Sequence, residues 1–326
     1  MLNNRVVITG LGIVSPNAIG RSAFFKAVME GVSGIKLISL FDTAEFEVKL
    51  AGEVADFKPQ EILAGKSLRN LDRSTKLLSS AAKLGLDDAQ LSIDDNNTRD
   101  TGVVTGSTLG SLKSIMDFDT DALKDGARFV NPAFFPNTVI NSPSSQVSIM
   151  FNIKGLNITI STGSTAGLDA INYAADFIRL GRLKFALAAG VEELCLQTFA
   201  GFYKSSCVEK KILGEGACVF ILEDLDMARS RGANIYAEVK GYSQNFGEGG
   251  LSKSQDRALE KSSLSSEDID VNNYSIELLI GNCFSAMSIF EAAAGIVRLK
   301  ENGGKNILVS ASNYDGRSSS LVISNV

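Results

Sequence analysis

The sequence has 326 residues, of which 44% are hydrophobic, with 30 glycines and only 5 prolines. This length and composition predict a globular α/β protein of about two domains with a sizeable core. The formal net charge of −5 argues against nucleic-acid or anionic-membrane partners, and no apolar run reaches the length of a membrane span.

Cysteine and histidine usage narrows the possible chemistry further. The four cysteines, Cys195, Cys207, Cys218 and Cys283, have no metal-ligand spacing, and histidine is absent from the chain. A zinc site would therefore need unusual ligands, and we expect neither a metal nor a cofactor. Scattered thiols without a signal-peptide pattern predict a reducing, cytoplasmic location.

The predicted elements begin with an apolar strand over residues 5–14, followed by a turn at Ser15 and Pro16. Gly10 and Gly12 form part of a dinucleotide-binding fingerprint, but Ser15 replaces the third glycine and no helix opens directly after it. We therefore reject a dinucleotide site. The apolar pattern of residues 22–31 predicts a helix. Further along, a strand over residues 101–105 leads into an amphipathic segment that extends to residue 125.

Residues 156–181 carry the most informative pattern. A strand-like alternation over residues 156–160 is followed by a sharp turn, and apolar residues then recur at helical spacing: Leu168, Ile171, Ala175 and Ile178. This elbow, residues 159–167, places Ser164 where backbone N–H groups and the helix dipole converge. A nucleophile at this position would be activated, and its oxyanion would find hydrogen-bond donors.

The remaining chain predicts a second half with strands of its own. Residues 185–190 and 214–223 predict buried strands, and residues 238–242 predict the first strand of the second half. A further strand is predicted over residues 277–280.

Together these stretches resemble the β-ketoacyl-acyl-carrier-protein synthases, or ketosynthases. Their elbow reads Ser-Thr-Ala-Cys-Ala-Thr-Gly, which Ser161, Thr162 and Gly167 match, and Ser164 stands where the family keeps its acylated cysteine. The opening strand and the Gly-Glu-Gly-Ala stretch after Leu213 also match. The resemblance implies a thiolase-like fold of two similar halves, residues 1–232 and 233–326, packed as five αβαβα layers with a shortened C-terminal half.

The departures from the family pattern lie in the second half. No counterpart of the family's His-Gly-Thr-Gly-Thr loop follows residues 277–280. In the Lys-Ser-Xaa-Xaa-Gly-His pattern, Phe284 replaces the lysine and Ile289 the histidine. The family's glycine-rich loop is also replaced near the end, where we expect Asp315 close to an oxyanion. Ser164, Phe284 and Ile289 are thus degenerate positions, and no catalytic residue is predicted.

Family members that lack the cysteine are chain-length factors, inactive partners of an active ketosynthase. The resemblance therefore implies a non-catalytic subunit of a heterodimer that helps set polyketide or polyene chain length during decarboxylative condensation on acyl carrier protein. It also places Leu109, Leu112 and Phe134 at the acyl tunnel or the subunit interface. From the residues alone, Leu109 and Phe134 are more simply explained as ordinary core residues.

Two alternatives to a chain-length factor remain open. One is a Ser164-dependent acyltransferase or hydrolase on the same scaffold, and the other is a purely structural partner subunit. A serine without a general base is a poor nucleophile near neutral pH, and no lysine stands at a matched position. Thr162 and Ala166 also occupy positions where the hydrolase elbow needs glycine. These observations favour a structural role for Ser164.

Overall fold

The computed structural model describes residues 4–205 and 211–326. The strands are β1 (Val6–Ser15), β2 (Ala18–Ile19), β3 (Ile35–Leu37), β4 (Leu50–Gly52), β5 (Thr101–Gly106), β6 (Asn157–Ile160), β7 (Phe185–Glu192), β8 (Gly216–Asp224), β9 (Ala237–Phe246), β10 (Val271–Asn272), β11 (Asn306–Ser312) and β12 (Arg317–Ser324).

The helices are α1 (Arg21–Glu30), α2 (Pro59–Ile62), α3 (Arg73–Asp88), α4 (Leu112–Asp125), α5 (Ser142–Met150), α6 (Ala166–Arg179), α7 (Leu196–Lys204), α8 (Leu225–Ser230), α9 (Gly250–Ser262), α10 (Glu277–Ile280) and α11 (Met287–Asn302). Short 3-10 helices lie at Pro132–Thr138, Gly163–Thr165, Ser266–Asp268 and Phe284–Ala286. Among the described residues, no helix combines the length and the apolar character that crossing a bilayer requires.

One large sheet organises the molecule, in the order β10-β11-β12-β9-β1-β8-β7-β5-β6 with β2 paired to β1. In its first part β5 is parallel to β7, which is antiparallel to β8, which is antiparallel to β1. The second part repeats this pattern with β10, β11, β12 and β9. The first part has an additional edge strand, β6, and no described strand takes the equivalent place beyond β10. The fold is therefore two similar halves with a shortened second half.

Helices cover both faces of each part of the sheet. On one face of the first part, Leu78 and Ala81 of α3 pack against Ile221. Its other face packs against α6, which lies beside α11 in the middle of the molecule. Helix α11 contacts β11 of the second part, whose outer face is covered by α9. The order helix, sheet, helices, sheet, helix is the predicted five-layered αβαβα arrangement.

The two parts join where β1 pairs with β9 over three residue pairs, from Val6 opposite Val239 to Ile8 opposite Ala237. We propose the boundary between the halves at Gly232, in the turn between α8 and β9. This position follows from the repeated strand pattern, because β9 is the first strand of the second repeat.

The glycines of β1 have a packing role. A Cβ added at Gly12 would lie 1.8 Å from the Ala81 carbonyl oxygen, and one at Gly10 would lie 2.4 Å from that of Gly85. Helix α3 therefore crosses β1 in direct contact with its backbone. This close approach explains the glycines that partly match a dinucleotide fingerprint.

Most predicted elements are present, including β1, β5, β7, β9, α1 and the strand-turn-helix around Ser164. The strand predicted over residues 277–280 is wrong, because this stretch is the short helix α10. Gly281, at φ 72°, follows the helix directly. A run of only four residues is too short for hydrophobic periodicity to distinguish a strand from a helical turn.

Candidate functional site

Ser164 lies in the 3-10 helix Gly163–Thr165, between β6 and α6, at the predicted elbow. Gly163 has φ 65°, a left-handed conformation that glycine adopts without strain, and it allows the chain to turn sharply here. The Thr162 hydroxyl donates to the Asp169 carboxylate, which also accepts from the hydroxyl of Tyr242 at 2.6 Å. This network ties the elbow to β9 in the second half.

Asn313, at the turn after β11, lies directly against the elbow. Its Oδ1 accepts a hydrogen bond from the Ser164 backbone N–H at 2.7 Å, and its Nδ2 donates to the Thr162 carbonyl oxygen at 2.5 Å. A Cβ at Gly163 would lie 2.7 Å from Asn313 Oδ1, so the contact is tight. The N–H that the elbow would otherwise offer to an oxyanion is therefore already satisfied.

Asp315 does not make this contact. It is exposed, and its carboxylate accepts from the Arg317 N–H within its own turn at 3.0 Å. Asp315 does line the same cavity as Ser164. The side chain that bonds to the elbow, however, is the amide of Asn313.

A cavity of about 610 Å³ opens at the elbow. Its lining combines the elbow backbone with aromatic rings and polar groups, among them Ser161, Thr162, Ser164, Thr108, Phe199, Phe202, Phe284, Asn282, Asn313 and Arg317. The rings of Phe202 and Phe284 pack with their centroids 4.4 Å apart. An apolar ring thus stands at the position of the family's lysine.

The three positions predicted to be degenerate are not all brought together. Ser164 and Phe284 line the same cavity, whereas Ile289 is fully buried in the core and does not line it. Ile289 packs on β7, because a Cβ at Gly190 would lie 2.8 Å from its Cγ2 atom. The Ser164 hydroxyl makes no hydrogen bond to any residue in the ranges 4–205 and 211–326.

Leu109 and Leu112 line a second cavity of about 280 Å³, together with Gln197, Thr198 and Phe202. Phe202 belongs to both cavities, so its ring stands between them. Leu109 is half-buried and packs against the apolar cluster that contains Phe199 and Phe284.

Phe134 lies elsewhere, in the 3-10 helix Pro132–Thr138, and is 44% exposed. Its interpretation as an ordinary core residue is therefore wrong for this chain. Leu109, which packs against a buried cluster, keeps that interpretation open.

Sequence reasoning missed two adjacent glutamates at the end of β7, Glu192 and Glu193, both buried. Burial raises the pKa of Glu192 to about 7. Burial, together with the nearby Asp72 carboxylate, raises the pKa of Glu193 to about 8. The available signal was a pair of acidic residues directly after the apolar run of residues 185–191.

The described residues contain no group of three or more His, Cys, Asp or Glu side chains placed to hold a metal ion. Cys195, Cys218 and Cys283 are buried free thiols, and burial raises the pKa of each. Thiols of this kind are poor nucleophiles. Cys207 lies outside the described residues.

Residues 3–228 match the family model described as Beta-ketoacyl synthase, N-terminal domain. The chain belongs to the β-ketoacyl synthase family. It is 34% identical over 261 residues to the 3-oxoacyl-[acyl-carrier-protein] synthase 2 of Vibrio harveyi, covering 74% of this chain and 63% of that protein. The chain therefore spans less than two thirds of the length of this ketosynthase relative.

Two solved structures share the fold of this family member. One is the ishigamide ketosynthase/chain length factor, with a TM-score of 0.90 and 22% identity over 99% of this chain and 100% of that one. The other is a chain from the structure of a complex, in which a type II polyketide synthase acyl-carrier protein is bound to its ketosynthase and the ketosynthase is bound to the hexaketide. Its TM-score is 0.85, with 20% identity and coverage of 99% and 100%. Both confirm the thiolase-like ketosynthase fold.

Proposed function

We propose that this chain is a chain-length factor: a non-catalytic ketosynthase-like subunit that pairs with an active ketosynthase. In that complex it helps set polyketide or polyene chain length during decarboxylative Claisen condensation on acyl carrier protein. The observation that carries the proposal is the elbow itself, where a serine replaces the nucleophilic cysteine and Asn313 occupies its backbone N–H.

Condensation needs a thiolate and donors that stabilise the enolate and the tetrahedral oxyanion. Ser164 has no histidine to act as its general base, since the chain contains none, and its hydroxyl forms no hydrogen bond with any described residue. The ring of Phe284 lines the cavity where the family has a lysine, and the backbone donor of the elbow is bonded to Asn313. The family's cysteine, histidines and lysine are thus replaced separately, and the backbone donor is occupied, which supports a subunit without condensing activity.

Several exposed apolar side chains support a partner subunit. They concentrate between residues 116 and 149 and comprise Met116, Leu123, Phe129, Phe134, Phe135, Val139, Ile140 and Ile149. Eight exposed apolar side chains along one stretch of the chain exceed the scattered single ones of an ordinary surface, which supports an interaction site. The similarity to a ketosynthase/chain length factor, and to a ketosynthase bound to its acyl carrier protein, favours a ketosynthase as the partner.

The proposal is tested on the chain alone and in complex with a co-expressed intact ketosynthase. Alone, with malonyl- and acyl-acyl-carrier protein, we expect no chain extension above a no-enzyme control. In the complex, Ser164→Ala is expected to leave turnover nearly unchanged, with Ser161→Ala as the matched control at the same cavity.

Intact mass separates this proposal from a serine acyltransferase. After incubation with an activated acyl donor, we expect the mass of the chain to stay unchanged. An acyl adduct that Ser164→Ala abolishes would replace the proposed function with the acyltransferase alternative.

A further inference from the structure

Residues 107–113, here called the wall segment, connect the two cavities. Thr108 lines the elbow cavity, while Leu109 and Leu112 line the smaller one. The Ser161 hydroxyl donates to the Thr108 carbonyl oxygen at 3.5 Å, so the segment also touches the elbow. Whatever fixes the position of this segment therefore fixes the shape of both cavities.

Glu192 holds the beginning of the wall segment. Its carboxyl group accepts hydrogen bonds from the backbone N–H of Thr108 and, at 3.3 Å, from that of Leu109. It also accepts from the Ser285 hydroxyl at 2.5 Å, in the 3-10 helix that carries Phe284. One fully buried carboxyl group thus links the wall segment to the turn that supplies the aromatic lining.

Glu193 holds the other end of the wall segment. Glu193 is the first residue after β7, and its side chain reaches α3 and α4, whereas that of Glu192 reaches the 3-10 helix Phe284–Ala286. Its carboxyl group accepts from the backbone N–H of Lys113 at 3.0 Å and of Ser74 at 3.2 Å. These donors belong to the first turns of α4 and α3, whose N–H groups have no partner within the helix.

Among the described residues, no cation pairs directly with either carboxyl group. Two other buried glutamates, in contrast, have an arginine: Glu215 pairs with Arg73 and Glu223 with Arg231. Within the part of the chain that the structure describes, the direct partners of Glu192 and Glu193 are hydrogen-bond donors, and Arg73, which pairs with Glu215, acts on Glu193 only electrostatically. Burying an unpaired carboxyl group is costly, and such groups concentrate where a site needs them.

We propose that Glu192 and Glu193 are positioning residues: together they clamp the wall segment and thereby determine the chain length that Leu109 and Leu112 permit. This inference rests on the proposed chain-length function. The leucines supply the apolar surface, and the two carboxyl groups fix its depth. In an apolar pocket, displacement by about one methylene changes selectivity roughly tenfold or more.

The test uses the complex with the active ketosynthase and measures the product distribution together with hydrogen exchange of residues 107–113. Glu192→Ala removes the clamp, and Glu192→Asp withdraws the carboxyl group by one methylene. We expect both to accelerate exchange in the wall segment and to raise the ratio of longer to principal product by about tenfold. Glu192→Gln keeps an acceptor oxygen for Thr108 and Ser285, so it should retain the wild-type distribution.

Two parallel variants make the outcome decisive. Glu223→Gln changes an equally buried glutamate of β8 that contacts Thr9 and Arg231 instead of the wall segment, and its products should not change. Leu109→Ala tests the proposed function itself and should also lengthen the products.

If Leu109→Ala leaves the products unchanged, the proposed chain-length function is wrong. If Leu109→Ala lengthens them but Glu192→Ala and Glu192→Asp do not, at normal complex yield, only the clamp is wrong. Failure of all three Glu192 variants to assemble would also overturn the clamp, since the carboxyl group would then serve folding and not product length.

Discussion

The two halves of this protein contribute differently to the candidate site. The first half has a five-stranded part of the sheet and builds a complete elbow around Ser164. The second half has four strands, and its side chains Phe284, Ile289 and Asn313 reach toward the elbow or its supporting core. The elbow is therefore built by the first half and packed by the second.

The second half supplies packing around the elbow. The Phe284 ring packs at a tilt against that of Phe202, Ile289 fills space against Gly190, and Asn313 bonds to the elbow backbone. Each of these side chains contributes shape or a hydrogen bond to the elbow or to its supporting core. The difference between the halves teaches that the elbow of the first half depends on side chains of the second half for its packing.

The largest expected effect concerns that packing. Phe290 of α11 is fully buried, and its ring lies 6.2 Å from that of Phe24 in the first half. We expect Phe290→Ala to lower the free energy of unfolding by about 3–5 kcal/mol, because it removes a large side chain and leaves a cavity. Urea denaturation measures this change in the free energy of unfolding. Leu278→Ala, at a position that is 88% exposed, is the control and should change the free energy of unfolding little. A small effect of Phe290→Ala would mean that the second half does not support the first.

A second prediction concerns pH and the glutamates of the first half. Their pKa values, about 7 for Glu192 and about 8 for Glu193, exceed the ordinary value of 4.5. At a pH between 4.5 and these raised values, the folded chain therefore binds more protons than the unfolded chain. Stability should therefore fall as pH rises from about 4.5 to 8, by on the order of a few kcal/mol. Among the charged groups that act on Glu193, the Asp72 and Glu215 carboxylates oppose its ionisation and the Arg73 guanidinium favours it.

Denaturation at pH 5 and pH 8 checks this slope. Glu192→Gln removes one titrating group, so the variant should lose less stability than the wild type over this range, whereas the exposed Glu267→Gln should follow the wild type. A slope that Glu192→Gln leaves unchanged would contradict the assignment.

The smallest expected effect is that of Ser164→Cys, which we expect to leave the chain without condensing activity. Ser164→Cys restores the family's nucleophile type, but the thiol would still face Asn313 and Phe284 in a chain without histidine. We expect no chain extension from this variant alone, measured beside an active ketosynthase as the positive control. Condensation by Ser164→Cys would show that the second half still supplies the chemistry.

The sequence predicted those parts of the fold that local patterns determine. Apolar runs identify β1 and β7, and the change from strand to helix periodicity around Ser164 identifies the elbow. The family pattern then supplied the layer arrangement, which periodicity alone does not contain.

The remaining site depends on contacts between distant residues. Asn313 reaches Ser164 across 149 positions, and neither residue carries a local signal of this bond. The turn after β11, with Gly316 at φ 89°, decides that Asn313 and not Asp315 faces the elbow. Glu192 likewise acquires its role only when Ser285 and Thr108 fold against it.

The central position of β1 also affects synthesis. Val6 lies opposite Asp224 on one side and opposite Val239 on the other. The ribosome must therefore add more than two hundred residues before β8 and β9 can pair with this strand, which takes on the order of 10 to 50 seconds at 5–20 residues per second. Throughout that interval β2 can pair only with Val14 and Ser15, so most of this apolar strand has unpaired edges. A segment of this kind aggregates unless a chaperone covers it.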